Sequence, residues 1–113
     1  MTNGCTKGKK GEREIVRLCA AEGYKARRSA QFCGNNPEGT ADVVGLKGIH
    51  IEVKRVEKLN IDDALSQAKR DAEKTTGNIP VVFHRKNNTK WKVTMDAHDW
   101  FVIYREWEAG QND

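Results

Sequence analysis

Residues Ile49 to Lys54 read Ile-His-Ile-Glu-Val-Lys, a run in which aliphatic and polar side chains alternate strictly. A period of two marks a β-strand, because successive Cβ atoms leave an extended backbone on opposite faces. Ile49, Ile51 and Val53 therefore line one face, and His50, Glu52 and Lys54 the other. The aliphatic face requires a core. A slip of one residue in pairing would bury the charged set instead, although the sequence does not fix the register of the neighbouring strand. The polar face sets a carboxylate beside an ammonium group, which predicts a charged site on the surface of a sheet.

The flanking sequence supplies the partners. Ala41 to Leu46 is a second β-rich run, separated from Ile49–Val56 by Lys47-Gly48, a connection typical of a tight antiparallel hairpin. Upstream, Ile15, Val16, Leu18 and Cys19 recur at helical spacing within Gly11 to Glu22, and Gly23 stands where a helix C-terminal cap is expected. Tyr24 to Ala30 reads as an edge strand, and Cys33 to Thr40, rich in Gly, Asn and Pro, as a loop. Asp62 is placed to cap a helix with an apolar stripe of Ala64, Leu65, Ala68 and Ala72. Ile79 to His84 and Trp91 to Met95 are strand-like, joined by a polar segment containing Asn87-Asn88. Asp96 is a candidate cap for a last helix, residues 97–108, with Trp100, Phe101, Tyr104 and Trp107 on one broad face. That face is expected to pack on the chain's own core or to cover a partner subunit. The order predicts an α/β chain with a central mixed β-sheet flanked by helices.

At 113 residues there is room for one core, hence a single domain. Hydrophobic residues at 37% beside 32% charged suit a folded chain with a charged surface. The apolar runs are far shorter than the roughly 20 residues that cross a bilayer, and no apolar leader is visible, so a cytoplasmic protein is expected. Cys5, Cys19 and Cys33 lack the spacing of a zinc site or a disulfide scaffold and read as reduced thiols. The net charge of +4 favours a polyanionic partner. Lys7, Lys9, Lys10, Arg13, Arg27, Arg28, Arg55 and Lys58 are candidates to contact DNA phosphates, with residues 1–10 as a flexible basic arm. No groove-reading pattern stands out, so recognition by shape and backbone is expected.

Across the hairpin, Asp42 is able to approach Glu52. Two carboxylates without competing nitrogen or sulfur ligands make a hard oxygen site suited to Mg2+, with Mn2+ as a substitute. Lys54 beside them is able to orient an attacking water or stabilise charge on phosphorus, which makes phosphodiester hydrolysis feasible. A fourth acid is sought on the first helix. Glu12 shares a face with Val16 and Cys19 and is preferred to Glu14, which lies nearer Arg17 and solvent. His50 is expected to form a hydrogen bond rather than to bind metal.

Asp42, a nine-residue gap and then Glu52-Val53-Lys54 resembles the PD-(D/E)XK nuclease motif, with Ala41 where a proline usually precedes the acid. Together with Gly11-Glu12-Arg13-Glu14-Ile15-Val16 and the basic Arg27-Arg28 strand, the hairpin resembles the archaeal-type Holliday junction resolvases and their phage-borne relatives, over roughly residues 7–95. The resemblance implies a restriction-endonuclease-like core and a metal-dependent homodimer that nicks four-way DNA junctions in recombination and repair, in a bacterial or phage-infected cell. It implies Glu12, Asp42, Glu52 and Lys54 as catalytic residues. Asp42, Glu52 and the Val53 backbone carbonyl would be metal ligands, with Glu12 acting through water and Gln67 as an accessory side chain. Another nuclease of the superfamily, such as a VRR-type repair enzyme, or a non-catalytic DNA-binding subunit are the alternative expectations.

Overall fold

A computed structural model describes residues 4–29, 41–75 and 77–111, with side chains from Gly8 onward. The Cys33–Thr40 loop lies outside the described residues, as do the side chains of Cys5 and Lys7. Helix α1 spans Gly4–Ala21, and the strands are β1 Arg27–Arg28, β2 Val43–Val44, β3 Ile49–Arg55, β4 Ile79–Arg85 and β5 Lys92–Thr94. Helix α2, Ile61–Thr75, lies between β3 and β4, and α3, Ala97–Ala109, follows β5. The strands form one sheet in sequential order. β3 and β4 run parallel because α2 carries the chain back across the sheet, and the other neighbours are antiparallel. The architecture is the expected mixed α/β sheet with flanking helices.

Strand alternation divides the core in two. Ile51 and Val53 of β3, with Val43 and Val81, pack on Ile15 and Cys19 of α1. The next residue along β4, Val82, joins Ala64 and Ala68 of α2. Since Val81 and Val82 point oppositely, α1 and α2 cover opposite faces. Ala64, Ala68 and Ala72 are all buried, and their single methyl groups let α2 lie close to the face that carries His50, Glu52 and Lys54.

Several local expectations are refined by tertiary contacts. Helix α1 starts at Gly4 rather than Gly11 and takes in Lys9 and Lys10, since extending a helix already anchored by packing costs little. Its end matches the expected glycine cap. Gly23 has φ of +94°, the Tyr24 N–H donates to the Cys19 carbonyl at 2.9 Å, and the Gly23 N–H donates to Ala20 at 3.0 Å. Asp62 does not cap α2; Asn60 does, its Oδ1 accepting the Asp63 N–H at 3.1 Å, so the helix begins one residue before the expected cap. Asp96 takes the N-cap position of α3 without a capping bond, because its carboxylate instead meets Lys69 Nζ at 2.8 Å. The aromatic face of α3 does not pack on the chain's own core: no residue of α3 is buried. Among the described residues, no helix is long and apolar enough to cross a membrane.

The hairpin connection is longer than two residues. β2 ends at Val44, and the tight turn, closed by the Ile49 N–H donating to Leu46 at 3.1 Å, follows a glycine with a separate task. Gly45 has φ of +123°, and a Cβ there would stand 2.6 Å from the Lys25 carbonyl oxygen. Gly48, at φ of +88°, faces open space. Gly45→Ala is expected to cost at least about 2 kcal/mol, and Gly48→Ala about 1 kcal/mol, by urea denaturation. Equal losses would mean that the close approach at Lys25 is not what requires glycine.

Candidate active site

β2 is short, and the residue before it occupies the gap. The Asp42 N–H donates to the Ile51 carbonyl at 2.9 Å, and the Asp42 carbonyl accepts the Ser29 N–H at 3.1 Å. Its side-chain Oδ2 accepts the Val53 N–H at 2.8 Å. A side-chain oxygen therefore satisfies a β3 donor, and the Asp42 carboxylate is held against the edge of β3. The Val43–Ile51 pairing brings Asp42 opposite Glu52, a register that the sequence left open.

Glu52 departs from the expected open charged face: it is 3% exposed, because α2 lies over it. Burial, together with the charge and hydrogen bond of Asp42, pushes its carboxyl up to about 7, and a hydrogen bond from His50 works in the opposite direction. His50 Nε2 stands 3.0 Å from Glu52 Oε1, so His50 makes the hydrogen bond expected of it.

Glu12 reaches Asp42 from α1. It is 7% exposed and accepts a bond from Arg28 Nε at 2.9 Å. Burial raises its pKa, the Arg28 bond lowers it, and the Asp42 charge raises it. Glu52 thus lies within hydrogen-bond reach of Asp42, and Glu12 lies within reach of its charge. Glu14 does not point to solvent near Arg17 as expected. It meets Arg55 Nε at 2.9 Å and Arg85 Nε at 3.5 Å and accepts the Trp91 indole N–H at 3.2 Å. Glu14 thus braces α1 on the sheet, and Arg55, a candidate for DNA contact, is engaged in that brace.

Lys54 is half-buried, shares a strand face with Glu52 and pairs in register with His84. Gln67 is half-buried on α2, one turn before Asp71. Asp71 escaped the sequence reading. Its signal was its place four residues after Gln67, flanking the alanine stripe that sets α2 on the sheet. His50, Glu52 and Asp71 each bring a ligand atom within 4.8 Å of the others, a grouping able to hold a metal ion. Lys9, Lys10, Arg13, Arg27 and Lys58 are exposed. Arg13, Arg27 and Arg28 line one open groove between α1 and β1, joined by Arg17, which the sequence reading did not single out.

The state of Glu52 leads to a stability prediction. Its folded pKa lies above the value of 4.5 taken for a free glutamate, so its contribution is fully present below about pH 4.5 and is lost as pH rises through about 7. In chelator-treated protein, Glu52→Gln is expected to flatten that decline and to be more stable than the native chain at about pH 8 by roughly 1–3 kcal/mol. Urea midpoints across this pH range provide the check. Parallel declines in both proteins would contradict a proton held on Glu52.

No protein-family model and no curated protein matches the chain. Among solved structures it is similar to Hjc of Archaeoglobus fulgidus, a Holliday junction resolvase from an archaeal hyperthermophile. The two share 23% sequence identity at a TM-score of 0.57, over 79% of this chain and 72% of that one. The likeness is one of fold: this chain has the mixed, helix-flanked α/β sheet of Hjc.

Proposed function

We propose that the chain is a metal-dependent endonuclease that resolves four-way DNA junctions. The observation that carries this reading is the meeting of Asp42, Glu52 and Glu12 on a fold shared with a junction resolvase. The donor set fits a hard divalent cation, since Asp42 and Glu52 offer oxygens at one place. Asp42, Glu52 and the Val53 carbonyl would hold Mg2+, or Mn2+ in its stead, with Glu12 acting through water. A bound ion supplies positive charge to the phosphorus centre and acidifies water.

The chain's own residues do the rest. The Val53 N–H fixes the orientation of Asp42. Glu52 would hold the ion as a carboxylate, its proton passing to solvent. Lys54, on the same strand face as Glu52, orients the attacking water and stabilises the phosphorane charge. Arg28 holds Glu12, and the groove lined by Arg13, Arg17, Arg27 and Arg28 offers guanidinium groups to backbone phosphates leading to the site. The reading places the protein in DNA recombination and repair, in the cytoplasm of a bacterial or phage-infected cell.

The same proposal includes a homodimer, because two opposed cuts require two sites at fixed separation. Helix α3 supports it. Trp100, Phe101, Val102, Ile103, Tyr104 and Trp107 are between 37% and 58% exposed. Trp100 stacks on Tyr104 with ring centroids 5.2 Å apart, and Tyr104 lies 5.6 Å from Trp107, so the aromatic ridge is preformed. These side chains leave roughly 500 Å² bare per chain, so two such helices together reach the roughly 1,000 Å² at which specific interfaces begin. A second copy is the partner this area fits.

Two measurements test the reading. With Mg2+, the native chain is expected to nick a synthetic four-way junction on opposed strands in preference to flaps and linear duplex. Asp42→Asn and Glu52→Gln should each lower the rate by roughly a hundredfold or more while retaining junction binding. Cleavage unchanged in both variants would exclude the site, and equal cutting of all substrates would exclude junction selectivity. In light scattering, the native chain should have twice the mass of its 12.8 kDa monomer, and Trp100→Ala with Trp107→Ala should halve it. A native chain that is already monomeric at micromolar concentration would remove the dimer.

A further inference from the structure

Glu52 has a second side. Toward β2 it meets Asp42, and toward α2 it meets His50 and Asp71. His50 and Glu52 are each 3% exposed and come from one face of one strand, so burial holds the two side chains against each other. The 3.0 Å between His50 Nε2 and Glu52 Oε1 is close to the roughly 3.3 Å edge of a tetrahedron whose metal–ligand bonds are about 2.05 Å. Asp71 supplies a third donor from α2, held near by the buried alanines Ala68 and Ala72 on either side of it in sequence. The imidazole sets this group apart from the Asp42 side. An all-oxygen set suits magnesium, whereas one nitrogen and two carboxylates select a borderline ion of the zinc class.

We propose that His50, Glu52 and Asp71 form a zinc-class metal site that shares Glu52 with the magnesium site and competes with it. Zinc occupancy turns Glu52 toward α2 and withdraws it from Asp42. The binding of zinc does not depend on the nuclease reading; the competition rests on it. No covalent step is involved. The proton that lies between Glu52 Oε1 and His50 Nε2 is released to solvent, so that both atoms present lone pairs to the ion.

The test uses zinc alone, titrated by calorimetry into the full chain without DNA or magnesium. A Cys5→Ser, Cys33→Ser background removes these two cysteines as rival ligands. One ion per chain is expected. His50→Ala and Asp71→Asn should each weaken binding at least tenfold, whereas Asp42→Asn should leave it within about threefold. Asp71 is only partly buried on a helix, so Asp71→Asn carries the test if His50→Ala fails to fold, as judged by circular dichroism. Zinc affinity unchanged in both ligand variants, or lost equally in Asp42→Asn, would overturn the site. If zinc binds as proposed but leaves magnesium-dependent cleavage untouched, the shared use of Glu52 is wrong while the site stands. If no cleavage is seen under any condition, only the nuclease reading fails.

Discussion

The hydrogen bond from the Val53 N–H to Asp42 Oδ2 is the contact on which the arrangement depends. It joins the short strand β2 to the central strand β3 through a side chain rather than through a carbonyl. That substitution brings a carboxylate opposite Glu52 and within electrostatic reach of Glu12. The bond also specifies register, since a one-residue slip would move Ile51 and Val53 out of the α1 core and Glu52 to the wrong face. Packing and site geometry are therefore two consequences of one pairing.

The cost of this arrangement is visible in the charges. Three carboxylates are drawn together, two of them nearly fully buried, and each is compensated differently. Glu12 has Arg28, Asp42 has a backbone N–H, and Glu52 has His50 and a raised proton affinity. Such a group is least comfortable when fully ionised and without a cation, which is the electrostatic ground of the proposed metal site. Glu14, two residues from Glu12, is spent on holding α1 to β3 and β4 through Arg55 and Arg85. The division of labour between two glutamates on one helix follows from their facing different sides of it.

Helix α3 presents the opposite imbalance. Its aromatic residues are concentrated where none of the described residues buries them, while its N-cap is tied down by the Lys69–Asp96 ion pair. This anchored start followed by an uncovered apolar length is the feature on which the proposed homodimer rests.

Much of this was legible in the chain itself. The alternation from Ile49 to Lys54 and the hairpin glycines predict the central pair, and the 3.6-residue spacing with Gly23 predicts the end of α1, because these signals are local and come from backbone geometry. Glu52 and Glu12 were singled out as candidates for the same reason: parity and helical face decide where a side chain points. What remained hidden depended on what lies above each face. The burial of Glu52 and the approach of Asp71 to His50 required α2 to sit close, which its alanines permit but only packing enacts. The choice of Asn60 over Asp62 as cap, the use of Asp96 for Lys69, and the bare aromatic face of α3 likewise turned on partners distant in sequence. The sequence by itself determined which residues share a face. Only the tertiary structure decided which faces meet, because contact between elements depends on side-chain volume and competing partners that no local periodicity records.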